Sequence, residues 1–178
     1  MSKQMSKKME QAQHLEDLQD SMIIEYSKMF PKEYFAPALM LSRTILKNMA
    51  IYEQFAKQFG LTYNALMVLI SIRFTQYEVS QSTISKLLWL PKQTVGSILN
   101  SLKKKGYITE AVSSGDARSK VILFTDEGKS FVDPIFDQLQ SLDLEAIQSV
   151  SSEQLEAAVQ SMKDYTEAFE NAFIRMTS

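Results

Sequence analysis

The side chains best suited to chemistry lie between Lys86 and Lys120. Seven cations (Lys86, Lys92, Lys103, Lys104, Lys105, Arg118 and Lys120) stand there against Glu110 and Asp116, a net of +5. Gln93, Thr94, Ser97 and Asn100 are interleaved with them. Gln and Asn can make paired hydrogen bonds to adenine, Thr can meet a thymine methyl or a phosphate, and Lys offsets phosphate charge. This is the chemistry of holding a polyanion and reading it, with no bond made or broken. On charge alone, Lys103, Lys104 and Lys105 read more simply as a solvated helix end, so the surrounding elements must decide. The rest of the chain offers little to catalysis. The single histidine, His14, has no matched nucleophile nearby, and zero cysteines exclude a thiolate zinc site, a disulfide scaffold and a thiol switch. No phosphate-binding or dinucleotide glycine loop, H-E-x-x-H or G-x-S-x-G pattern occurs. Asp126 and Glu127 are accounted for as a helix N-terminus.

The elements that must position these residues read as mostly helical. At 178 residues and 20.3 kDa the chain can bury a real core, and its five glycines and four prolines leave long stretches of helical apolar spacing. Residues 1–30 space Met5, Met9, Ala12, Leu15, Leu18, Met22 and Ile23 as one amphipathic helix. Pro31 and Pro37 suit a first helical turn better than an interior, and a long helix is expected from about Ala38 to Phe59, closed by Gly60. Thr62 caps a short helix through Ile72 that is apolar on nearly every side, hence central. Ser80 or Ser82 then caps a short helix carrying Ile84, Leu87 and Leu88, and Pro91 opens a second with Val95, Ile98 or Leu99, and Leu102 inward. Gly106 ends it. Tyr107 to Val112 and Lys120 to Phe124 are β-branched and aromatic runs joined by a polar tip, a hairpin. Thr125 caps the next helix, which Pro134 is expected to bend, and Ser151 with Gln154 opens the last with capping-box spacing. That last helix stays apolar through Phe169 and Phe173, which asks for a cover from a second copy of the chain.

Helix, turn, helix and two-stranded wing is an arrangement whose second helix fits a DNA major groove. Its outward residues are Lys92, Gln93, Thr94, Ser97, Asn100 and Lys103. Gly96 among them suits either close approach to a DNA backbone or packing against the preceding helix. Arg118, at the hairpin tip, is placed to enter a minor groove, with Asp116 orienting it and Lys120 beside them. Here the chain resembles the multiple-antibiotic-resistance regulator (MarR) family. The resemblance rests on Gly60-Leu61-Thr62, Pro91-Lys92-Gln93-Thr94-Val95, Leu102-Lys103-Lys104-Lys105-Gly106-Tyr107-Ile108, Asp116-Ala117-Arg118 and Leu123-Phe124-Thr125-Asp126-Glu127-Gly128-Lys129, and covers about residues 36–175. It implies a dimer built from N- and C-terminal helices, a near-palindromic operator and relief of repression by a small ligand. Two departures stand out. Glu110 replaces the Arg many members carry at the end of the first wing strand, and Ser-Thr-Ile-Ser-Lys replaces an acidic, alanine-rich tract before Trp89.

The resulting expectation is a mainly α protein with a small β-wing. Residues 1–35 form a helical extension, 36–60 and 126–178 a dimerisation region, and 61–125 a winged helix-turn-helix domain. Its expected role is that of a homodimeric transcription regulator, a repressor, bound to double-stranded DNA without cofactor. The competing expectation is a winged-helix module that binds protein without reading bases. Tyr52, Phe55, Phe59 and Trp89 are the candidates for an effector pocket, although aromatics at helical spacing are more often plain core. The longest apolar run, about Ala65 to Ile70, is far short of the ~20 residues that span a bilayer, and the acidic residues after Lys8 do not suit a signal peptide, so a cytoplasmic location is expected.

Overall fold

The computed structural model describes residues 14, 18, 21–75, 79–112 and 120–177. Residues 21–27 are helical, followed by α1 (Lys32–Gln58), α2 (Tyr63–Phe74), α3 (Gln81–Leu87), α4 (Lys92–Lys104), β1 (Ile108–Val112), β2 (Lys120–Phe124), α5 (Asp126–Gln148) and α6 (Ser152–Thr177). The chain divides into two compact units between Leu66 and Met67, within α2.

In the first unit α1 starts six residues earlier than its apolar spacing suggests. Pro31 takes the N-cap position, and Pro37 lies inside the helix instead of opening it. As the sixth residue of the helix, in its second turn, Pro37 gives up the one hydrogen bond that its N–H would make to the Glu33 carbonyl. Gly60 follows the helix with φ 67°, a left-handed backbone that suits a residue without Cβ. Phe55 and Ala56 are buried, Phe55 stacks at a tilt on Phe59 with ring centroids 5.2 Å apart, and Tyr52 meets Tyr63 edge-on at 6.3 Å. Thr62 caps α2 as expected, accepting from the Ala65 N–H at 3.2 Å, while the Glu53 carboxylate accepts from the Tyr63 N–H.

The second unit has its core in residues of period 3.6 from the helices and in the adjacent pair Val121 and Ile122 from the wing. Val68, Leu69, Ile72, Ile84, Val95, Leu99, Leu102, Val121, Ile122, Val132 and Ile135 are buried. Ser80 caps α3 through the Thr83 N–H, α3 packs on α4, and the antiparallel strands pair Ile108 with Phe124 through to Val112 with Lys120. Val79 adds a one-residue bridge to the sheet, its carbonyl accepting from the Ile122 N–H at 2.8 Å, which ties the start of α3 to the wing. The wing-to-α5 junction is held by Thr125. Its Oγ1 donates to the Gly106 carbonyl at 2.6 Å and accepts from the Gly128 N–H at 2.9 Å, and its N–H donates to the Tyr107 carbonyl at 3.1 Å. Tyr107 also stacks on Phe131 with centroids 4.2 Å apart. The helix α5 continues through Pro134, and α6 opens on the capping box of Ser151 and Gln154. Not one side chain of α6 is buried. No single helix among the described residues is long and apolar enough to cross a membrane.

Candidate nucleic-acid interface

The helix α4 sorts its side chains by face. Val95, Leu99 and Leu102 are buried in the unit's core, while Lys92, Gln93, Ser97, Asn100, Lys103 and Lys104 are exposed and Thr94 is half-buried. The alternation follows from 3.6 residues per turn, which returns positions 95, 99 and 102 to one side. Gln93, Gly96, Ser97, Asn100, Ser101 and Lys104 line a shallow polar groove along the outer side. Pro91 takes the N-cap position, Gly106 ends the helix with φ 76°, and Lys103 and Lys104 lie in its last turn, where cations complement the helix dipole.

Gly96 is explained within the fold. A Cβ there would lie 2.8 Å from Nε2 of Gln81, the first residue of α3, and that amide donates to the Lys92 carbonyl at 2.8 Å. The missing side chain therefore admits a clasp between the two helices, which is the packing alternative of the two read from sequence.

Glu110 changes the meaning of two candidate cations. One of its carboxylate oxygens lies 3.3 Å from Lys103 Nζ and 3.1 Å from Lys120 Nζ, so a single oxygen links the end of α4 to the wing strand β2. The Lys120 hydrogen bond, then that of Lys103, hold the Glu110 carboxyl below the usual carboxylate range. From sequence Glu110 reads only as a reversed charge near the nucleic acid. The signal that would have found the pairing is its place on β1, two residues diagonal from Lys120 in the hairpin register.

The remaining candidates are divided between the units. Asp116 and Arg118 lie outside the described residues. Tyr52 and Phe59 are half-buried and Phe55 is buried, Tyr52 and Phe55 on α1 and Phe59 at its C-cap, in the first unit. Trp89 belongs to the second unit, where it is 90% exposed, so nothing in that unit encloses it as a pocket wall. A tryptophan between two amphipathic helices reads as core in sequence; here the chain turns left-handed at that residue, φ 49°, and carries the ring outward.

A helix-turn-helix clasped by Gln81 and followed by a two-stranded wing, with a polar and cationic face on its second helix, is the architecture of a winged-helix protein. The MarR family model matches residues 59–119, which begin just before α2 and end just before β2. Over that stretch the chain resembles the MarR family. Over 94 residues it is 31% identical to the HTH-type transcriptional regulator SarZ of Staphylococcus saprophyticus, a match covering 53% of this chain and 62% of that protein. Among solved structures it is similar to a MarR family regulator from Neisseria meningitidis (TM-score 0.65, 21% identity, covering 75% of this chain and 94% of that one). It is also similar to MepR of S. aureus solved as a DNA complex (TM-score 0.63, 23% identity, covering 72% and 94%). At these identities the two structures establish the shared fold.

Proposed function

We propose that the protein is a homodimeric, sequence-specific repressor of transcription that binds a near-palindromic operator in double-stranded DNA, in the cytoplasm. The observation that carries this reading is the exposed face of α4, where Gln93, Ser97 and Asn100 stand between Lys92 and Lys103 with no carboxylate on the helix. The amides and hydroxyls are suited to base edges and the lysines to the bordering phosphates. Arg118, between the two wing strands in sequence, is assigned to a flanking minor groove with Asp116 orienting it, and Lys120, at the loop-proximal end of β2, to phosphate. The dimer is supported by α6, whose Val159, Phe169 and Phe173 remain exposed along a 26-residue helix. Release by a small apolar effector is proposed at Tyr52, Phe55 and Phe59, the aromatic cluster at the C-terminal end of α1 and its cap.

The test is competition between duplexes selected from genomic fragments and random duplex. Asn100→Ala and Gln93→Ala should relax preference at particular base pairs and leave random-duplex affinity nearly unchanged. Arg118→Ala should weaken binding to both by on the order of 1 to 3 kcal/mol. Binding should also fall steeply with salt as counterions are retained. Wild-type affinity and selectivity in Arg118→Ala and Asn100→Ala, or binding indifferent to salt, would overturn the reading in favour of a protein-binding module.

A further inference from the structure

Trp89 has no structural reason to be a tryptophan. It is 90% exposed, and among the described residues it is the one non-glycine residue with positive φ, at 49°. In that left-handed region a Cβ crowds the following carbonyl, so a glycine would sit there at lower cost. The turn nevertheless holds it firmly. Ser85 Oγ donates to the Leu90 carbonyl at 2.6 Å, the Leu90 N–H donates back to the Ser85 carbonyl at 3.1 Å, and the Leu88 N–H donates to the Ile84 carbonyl at 3.0 Å. The result is a large ring held outward on a braced backbone. A strained, solvent-facing position of this kind is characteristic of contact residues.

The surroundings specify the contact. Lys86 lies in the last turn of α3 and Lys92 begins α4, both exposed, and residues 79–109 contain five lysines and no carboxylate. An indole offers one N–H donor and no acceptor, so its polar partner must accept, and an anionic oxygen does so most strongly. The turn joins α3 to the helix proposed to read bases. In a helix-turn-helix the first helix crosses the phosphate backbone as the second enters the major groove, so the turn between them meets the strand bordering that groove.

We propose that Trp89 is a DNA-backbone contact, its indole N–H donating to a phosphate oxygen and its ring covering the adjoining sugar. This rests on the DNA-binding reading above and adds to it a sequence-independent anchor that fixes how α4 enters the groove.

Trp89 is the only tryptophan in the chain, so its fluorescence reports this turn alone. The full chain is titrated at low salt with a labelled mixed-sequence duplex, reading duplex anisotropy together with tryptophan emission and acrylamide quenching. A phosphate contact needs no operator, so anisotropy should rise while emission moves to shorter wavelength and the quencher loses access. Trp89→Gly should melt no lower than wild type, because left-handed strain is removed, and should bind the duplex roughly tenfold more weakly. Trp89→Phe, which keeps the ring and loses the donor, should fall between them. Duplex binding with Trp89 still fully quenchable and Trp89→Gly binding normally would overturn the contact and leave the DNA-binding reading standing. A lowered melting temperature in Trp89→Gly would overturn it as well, by showing that the ring supports the fold. No anisotropy change at any salt concentration would overturn both readings.

Discussion

Glu110 shows how one side chain can set the strength of a surface. Its carboxylate occupies Lys103 and Lys120, two cations that would otherwise be free for phosphate, and both pairs are solvent-exposed enough to be weak. An exposed pair contributes about 0.2 to 1 kcal/mol, so removing Glu110 should raise affinity for random duplex several-fold at low salt. Glu110→Gln should also steepen the salt dependence as the freed lysines displace counterions. The sign with pH follows from the direction of the shift. The folded-state pKa is depressed, so whatever the triad contributes to stability is present above the ordinary glutamate range and is lost only as pH falls through the lower folded value. The gain in Glu110→Gln should therefore be the same at every pH above about 5, where Glu110 is ionised. Unchanged or weaker binding in a filter or anisotropy assay would show that Lys103 and Lys120 face away from DNA. The α4 stripe was legible in sequence because helical periodicity alone separates its faces. Glu110 was not, since its partners come from a helix and a strand that only folding brings to one oxygen.

Among the elements, the wing-to-α5 junction is the least tolerant. Gly128 is buried in the first turn of α5, and a Cβ there would lie 1.9 Å from the Tyr107 carbonyl oxygen, a backbone atom that Thr125 also holds. Backbone cannot yield as a side-chain end can, so Gly128→Ala should cost about 3 kcal/mol or more by urea denaturation. Thr125→Ala loses the cap but adds no clash, and should cost about 1 kcal/mol. A fully stable Gly128→Ala would mean the wing meets α5 differently. Thr125, Ser80, Thr62 and the Ser151–Gln154 box were all legible as caps, because capping is local in sequence. The Val79 bridge and the Gln81 clasp were not, because each partner lies on another element.

Across the whole molecule, the open question of assembly falls on α6. None of its residues is buried, so replacing exposed Phe169 and Phe173 with Glu removes no core contact and should leave the melting of the chain's second unit nearly unchanged. The same change should turn a dimer into a monomer by sedimentation velocity, and so weaken binding to a two-half-site operator far more than binding to a short random duplex. Removing residues 151–178 should do the same by deleting the face outright. A double variant that sediments as a dimer would place the interface elsewhere.

Periodicity, caps and turn residues act over a few neighbours, so the order of helices and hairpin and the inward stripe and polar face of α4 could be read before any coordinates. On α3 only Ile84 of the three expected apolar residues is buried, and Leu87 is exposed. Pro37 marks where that reading weakens: a proline near a helix start fits two registers, and the packing of the whole helix chooses between them. Two features required the tertiary structure. The direction of Trp89 depends on a backbone dihedral held by Ser85 and Leu90, and the pairing of Glu110 depends on α4 and β2 converging. The first is a turn geometry that residue types alone do not signal, since a tryptophan is not expected at positive φ, and the second is a contact across elements, where spacing along the chain carries little information about distance in space.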